Sequence, residues 1–130
     1  MKAVVSGSFR KFYDGIAETV SIFEDSGIKV LSPKISQIKN PGEEFAILES
    51  DTTTDIKTLE QNHLDAISKA DFLYVYDPQG VVGMSTMMEI GWALAIQKPI
   101  FALETPIDVV LAEFIQVQSV EETVLSMKLR

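Results

Sequence analysis

The chain has 130 residues, 46% of them hydrophobic, which suits a single domain spanning 1–130 with its own core. A formal net charge of −8 argues against a nucleic-acid polymer as partner, because gripping a phosphate backbone calls for a basic face. With no cysteine and His63 as the sole histidine, disulfides, thiol nucleophiles and His/Cys metal clusters are excluded.

The opening Met1-Lys2-Ala3-Val4-Val5-Ser6 turns polar too quickly for a signal peptide and reads as a first strand over Ala3 to Ser6. Ser6-Gly7-Ser8-Phe9-Arg10 is the turn after it. A helix is predicted from there to about Ser26, with Phe12, Ile16, Val20 and Phe23 as its buried stripe and Gly27 closing it. Ile28 to Leu31 is the second strand. A long irregular stretch runs from Pro33 to about Thr53, and a loop of this length in a small domain is usually functional or mobile. Thr54 or Asp55 opens the next helix, whose apolar face carries Ile56, Leu59, His63, Ile67 and Ala70. Phe72 to Tyr76 is a short aromatic and branched run without alternation, as in a strand buried on both faces.

Asp77-Pro78-Gln79-Gly80 ends that strand with turn chemistry. Ser85 or Thr86 can cap a helix through Met88, Trp92, Ala95 and Ile96, which places Glu89 in its first turn. After Lys98-Pro99, Ile100 to Leu103 is the fourth strand. Pro106 to Phe114 reads as a short helix, and Ile115 to Val117 as a last strand. Ser119-Val120-Glu121-Glu122 is a capping-box pattern leading into a C-terminal helix. No apolar run is long enough to span a bilayer, so no membrane partner is expected, and a cytoplasmic location is the natural reading.

Strands alternating with helices imply an α/β fold with a doubly wound parallel sheet, here in the flavodoxin-like order 2-1-3-4-5. In that order the loops after the first and third strands diverge and open a ligand crevice. The turn at Gly7-Ser8 and the loop from Asp77 to Glu89 should therefore face one another. Gly7 and Ser8 form either a tight turn or a cradle of backbone N–H groups for an anion, with Arg10 as a forked cation beside it. Thr86-x-x-Glu89 has the form of a capping box, a role compatible with a second one. A carboxylate kept ionised near a helix N-terminus can attack the anomeric carbon of a nucleoside. The departing base then needs a proton or a hydrogen bond, for which His63, Asp65, Asp71 and Asp77 are candidates. His63 reads equally as a packed core residue and as a catalytic one, and Asp71 as punctuation between helix and strand. Met84, Met87, Met88 and Trp92 place more apolar surface around the Glu89 helix than a small domain easily hides, so a homodimer or higher even oligomer is expected.

Gly7-Ser8-Phe9-Arg10 after the first strand, Ala70-Asp71-Phe72-Leu73-Tyr74-Val75, Gly83-Met84-Ser85-Thr86-Met87-Met88-Glu89-Ile90-Gly91-Trp92-Ala93 and Lys98-Pro99-Ile100 together resemble the nucleoside 2-deoxyribosyltransferase family. The Gly-Ser-x-Arg turn resembles its deoxyribonucleoside 5′-monophosphate N-glycosidase branch. The resemblance covers the first helix and most of residues 55 to 103. It implies a flavodoxin-like fold, usually dimeric, with sites that borrow residues from the partner. It implies Glu89 as the nucleophile of a covalent glycosyl intermediate, Ser8 and Arg10 on the 5′-phosphate, and Ser85 in a loop on sugar or phosphate. The substrate would be a nucleoside or nucleotide, acted on without cofactor or metal by hydrolysis or by transfer to a second base, with base preference governed by the stretch from Pro33 to Thr53. His63 stands where the family has an acidic residue, and Gly83 where it often has Asp or Ser. These departures leave open a second reading, a nucleotide-binding or sensing domain without catalysis. The contacts expected in the crevice are those of Gly7, Ser8, Phe9, Arg10, Asp77, Gly83 and Ser85, with Glu89 and His63 catalytic.

Overall fold

The computed structural model describes residues 1–35, 40–42, 46–48, 51 and 53–129. Five strands form one parallel sheet: β1 (Lys2–Ser6), β2 (Lys29–Ser32), β3 (Phe72–Val75), β4 (Ile100–Ala102) and β5 (Gln116–Val117), in the order β2-β1-β3-β4-β5. Helices α1 (Phe9–Asp25), α2 (Ile56–Lys69), α3 (Met84–Ala95), α4 (Val109–Glu113) and α5 (Val120–Lys128) fill the connections, with a 3-10 turn at Pro78–Gly80. None of the described helices is long and apolar enough to cross a membrane.

The sheet has apolar side chains on both faces because a helix layer covers each. On one face Ala3, Val5, Phe72, Tyr74 and Phe101 pack with Ile16, Val20 and Phe23 of α1 and Val120, Val124 and Met127 of α5. On the other, Val4, Leu73, Val75, Ile100 and Ala102 pack with Ile67 of α2 and Ile90 and Ala93 of α3. Neighbours along β1 and β3 thus serve opposite cores, and all four residues of β3 are buried. Phe23 meets Phe72 and Tyr74 edge-on at centroid distances of 5.6 and 5.5 Å, contacts worth about 0.5–1.5 kcal/mol each beyond area burial.

The adjacent strands β1 and β3 lead to helices on opposite faces, α1 and α3, so the chain leaves the sheet in two directions there and opens a crevice. Gly7 lies at the point of departure. A Cβ on it would meet the Tyr76 carbonyl oxygen at 2.8 Å and Ile16 Cδ1 at 3.1 Å, so this turn against β3 admits only glycine without a shift.

Several boundaries differ from expectation, each for a local reason. Helix α3 begins at Met84 because Gly83, in extended conformation, serves as N-cap and its carbonyl accepts from Met87 N at 2.9 Å. Neither Ser85 nor Thr86 caps it, the Thr86–Glu89 box is not formed, and Glu89 lies beyond the first turn. Helix α4 is only Val109–Glu113, since Asp108 Oδ1 accepts from Val110 N and Leu111 N and starts it late. Asp71 does act as punctuation: its Oδ2 accepts from Lys2 N at 2.8 Å. Of the stretch from Pro33 to Thr53, residues 36–39, 43–45, 49–50 and 52 lie outside the described residues, and with them most of the segment expected to govern base preference.

Gly7→Ala should lower stability by about 1–3 kcal/mol, the usual cost of forcing a carbon into occupied space. Gly91→Ala, where an added Cβ meets nothing within 4 Å on the helix, should instead raise it by about 0.5–1 kcal/mol. Urea unfolding of both variants beside the wild type checks the pair; a neutral Gly7→Ala would contradict the packing described.

Candidate active site

A cavity of about 730 Å³ opens at the crevice, within the 300–1,000 Å³ common for small-molecule sites. Besides Leu31, Pro33, Lys34, Ala46, Leu48 and Asp51, three groups of described residues line it. The turn after β1 brings Gly7, Ser8, Phe9, Arg10 and Lys11; α2 brings Leu59, Glu60, Asn62 and His63; the start of α3 brings Gly83, Met84, Ser85, Thr86 and Glu89. Ser32, at the end of β2, closes one side. Every expected crevice residue but Asp77 lines this cavity.

Asp77 turns elsewhere. It is fully buried, and its Oδ1 accepts from Glu104 N at 2.9 Å while Oδ2 meets no donor among the described residues. Burial pushes its carboxyl up to about 6 against the opposing hydrogen bond from the Glu104 amide. Its work is to tie the end of β3 to the loop after β4. Glu104 reciprocates by accepting from Gln79 N.

The N-terminus of α1 faces the cavity with Ser8 as N-cap, its side-chain oxygen accepting from Lys11 N at 3.4 Å. A helix start leaves backbone N–H groups unbonded and carries partial positive charge, and no acidic residue occupies this first turn. Arg10 and Lys11 add two cations on the same wall. Together these groups suit an anion.

Across the cavity lies a cluster around Glu89, which is only 6% exposed. His63 Nε2 is 3.3 Å from Glu89 Oε1 and 3.0 Å from Ser6 Oγ, while His63 Nδ1 is 2.6 Å from Ser32 Oγ. An ionised carboxylate only accepts, so Nε2 carries the hydrogen that joins the two side chains. Burial works against ionisation of Glu89. The hydrogen bond and attraction of His63, with further hydrogen bonds from Glu60 and Ser6, outweigh it and hold the carboxyl below its ordinary value. It is this clamp, and not the helix terminus, that keeps Glu89 charged. His63 is buried too, and both of its ring nitrogens are engaged. In this arrangement its Nε2 hydrogen is directed at Glu89.

Glu60, which no sequence pattern singles out, also belongs to this cluster. Burial pushes its carboxyl up to about 9, and the hydrogen bond and charge of Glu89 push the same way. The two carboxyls therefore divide the roles: Glu89 holds the charge and Glu60 the proton. Glu60 precedes His63 by three residues and shares its helix face, so placing His63 at the cavity would have placed Glu60 there. Ser6 and Ser32 had no such signal, because strand-end serines are common.

Among solved structures the chain is similar to the CMP N-glycosidase BcmB of Clostridium botulinum, at 17% identity and a TM-score of 0.60 over 100% of both chains. It is also similar to a 2-deoxyribosyltransferase of Bacillus psychrosaccharolyticus, at 15% identity and a TM-score of 0.61 over 95% of this chain and 90% of that one. At these identities the likeness is one of fold. No family model matches the chain, and no curated protein matches it.

A carboxyl that keeps its proton when folded but loses it when unfolded makes stability fall as pH rises between its two values. For Glu60 that window runs from about 4.5 to about 9, and for Asp77 from 3.8 to about 6. Glu89, held low, has the opposite sign and acts only below its unfolded value of 4.5. Urea midpoints should therefore decline between pH 6.5 and 9 through Glu60, and Glu60→Gln should flatten that decline. An unchanged slope in Glu60→Gln would show that Glu60 is already ionised at neutral pH.

Proposed function

We propose that this chain breaks or transfers the N-glycosidic bond of a nucleoside or its 5′-monophosphate, with Glu89 as nucleophile. The observation that carries the reading is a buried, ionised carboxylate on the wall of a nucleotide-sized cavity whose other wall is a cationic helix start. The sheet topology supports it, since the two walls meet at the crevice where such folds bind ligands. The two structural likenesses support it as well: one of those proteins is named a CMP N-glycosidase and the other a 2-deoxyribosyltransferase.

In this reading the phosphate lies on the Ser8, Phe9 and Arg10 turn, with Gly7 seating that turn against Tyr76 and Ser85 at the opposite lip. The sugar then lies over Glu89. Glu89 attacks C1′, the C1′–N bond breaks, and its electron pair leaves with the base, which takes up a proton. The glycosyl ester is resolved by water or by a second base. His63 acts as a positioning residue that aims and charges Glu89 through Nε2, with Ser32 fixing the ring through Nδ1. A second reading, binding without turnover, draws on the same cavity and is favoured by the three-donor clamp on Glu89, which lowers its nucleophilicity.

Glu89→Gln should abolish release of free base from a panel of nucleotides and deoxynucleotides while the protein still binds them. Binding by the wild type with no turnover of any panel member would favour the second reading, and full activity of Glu89→Gln would end the mechanism. Arg10→Ala should weaken 5′-monophosphate binding about tenfold or more and leave nucleoside binding nearly unchanged, as for loss of a charge-assisted contact. Calorimetric titration reads that difference, and equal wild-type affinity for nucleoside and nucleotide would remove the phosphate role.

We also propose that α3 pairs with another copy of the chain, since Met84 is 91% exposed and Met87, Met88 and Trp92 are exposed beside it. Light scattering should give an even oligomer at micromolar concentration, and a monomer would count against it.

A further inference from the structure

Ser32 ends β2 on the wall of the cavity. In base release it would only brace the His63 ring. Its Oγ lies 2.6 Å from His63 Nδ1, and Nε2 of the same ring lies 3.3 Å from Glu89 Oε1. Since Nε2 carries the hydrogen directed at Glu89, Nδ1 of the neutral ring offers only a lone pair. The Ser32 hydroxyl is therefore the donor in the 2.6 Å contact, and its oxygen lone pairs are left for another partner. A serine that merely braced the ring could be enclosed, but Ser32 is partly exposed and faces the cavity. The fold fixes this arrangement. Parallel pairing sets Ser32 beside Val4, so that Ser32 and Ser6, at the ends of neighbouring strands, reach one ring from two sides.

Hydroxyl, imidazole and carboxylate in this order are the parts of an activated nucleophile. The base is within hydrogen-bond reach of the hydroxyl, and a buried carboxylate fixes the base and offsets the charge it gains. The two ring nitrogens hold the reverse of their places in serine proteases, and each nitrogen can take up or hold the proton, so the relay works either way round. We infer that Ser32 is a nucleophile toward acyl compounds, with His63 as its base and Glu89 behind the ring, and that the chain hydrolyses small carboxylic esters bearing an anionic group. Arg10 and Lys11 on the same cavity select the anion, and the start of α1 adds backbone N–H groups without helical partners. Ser32 Oγ bonds to the carbonyl carbon while its proton passes to Nδ1. The bond from that carbon to the alcohol oxygen breaks, and the alcohol leaves with the proton. Water then attacks the acyl-serine and gives a proton to Nδ1, and the departing Ser32 oxygen takes that proton back. Water is the only co-reactant. Glu89 keeps its charge throughout and forms no bond to a sugar, so this activity stands or falls apart from base release.

The test is labelling by a fluorophosphonate, in which a serine oxygen displaces fluoride from phosphorus, followed by peptide mapping. The wild type should carry one adduct, on Ser32. The adduct should be absent from Ser32→Ala and form about a hundredfold more slowly in His63→Gln, as for loss of a general base. No adduct, an adduct on another residue, or labelling that persists in Ser32→Ala or at full rate in His63→Gln overturns the inference. Hydrolysis of 4-acetoxy-3-nitrobenzoate should exceed that of 4-nitrophenyl acetate by about tenfold or more in kcat/KM, as for a charge-assisted contact. Equal values would overturn the assignment of an anionic ester. The chain has no cysteine of its own, so Ser32→Cys gives a second readout that keeps the size of the side chain. An imidazole beside a thiol favours the thiolate, so iodoacetamide at about pH 6 should alkylate Ser32→Cys about tenfold faster than glutathione. If circular dichroism shows Ser32→Ala or His63→Gln misfolded, this variant decides, and alkylation no faster than that of glutathione overturns the inference.

Discussion

One negative charge divided unequally between two touching carboxyls is the constraint on which the site depends. Burial and the charge of Glu89 raise the Glu60 carboxyl while His63 lowers that of Glu89, so the pair favours one charge over two. The cluster resolves the conflict by surrounding Glu89 with donors, while no described residue donates to Glu60 Oε1. His63 makes the difference: it reaches Glu89 through Nε2 and is braced by Ser32 through Nδ1. The fold delivers these groups to one place because Ser6 and Ser32 end neighbouring strands, while α2 and α3 pack on the same sheet face. A proton held on Glu60 and a charge held on Glu89 are thus consequences of packing before they are elements of a mechanism.

The cavity is polarised by the same topology. Helix α1 leaves one face of the sheet and turns its N-terminus, with Arg10 and Lys11, toward the crevice; α3 leaves the other and contributes the carboxylate. A ligand with an anionic end and an electrophilic carbon some atoms away matches that arrangement without any further rearrangement of charge. The overall charge of −8 says nothing of it, since local cations and helix ends act over short distances in salt.

Much of this was legible in the sequence where one physical rule acted alone. The unalternating run Phe72 to Tyr76 marked a strand with two buried faces, formed over Phe72–Val75, and the stripe Phe12, Ile16, Val20 and Phe23 marked a helix with one, Phe12 being only partly buried. Gly7 and Glu89 could be placed at one crevice by strand order alone. Legibility failed where rules competed. Thr86-x-x-Glu89 had the form of a capping box, but Gly83 supplied the cap through its backbone and drew both residues into the helix. Asp77 stood at the end of β3 like a ligand, but the amide of Glu104 claimed its carboxylate. Glu60 resembled any exposed glutamate on a polar helix face, and only the contact with Glu89, 29 positions away in the sequence, reveals what it does.

The proposed mechanism requires a covalent bond between Glu89 and the anomeric carbon. The most direct measurement is mass spectrometry of the protein quenched during turnover of a nucleoside 5′-monophosphate, followed by peptide mapping. The proposed mechanism gives a mass increase equal to the sugar phosphate less one water, carried by the peptide containing Glu89 and absent from Glu89→Gln. Turnover with no adduct at any quench time, or with the adduct on another residue, would contradict it.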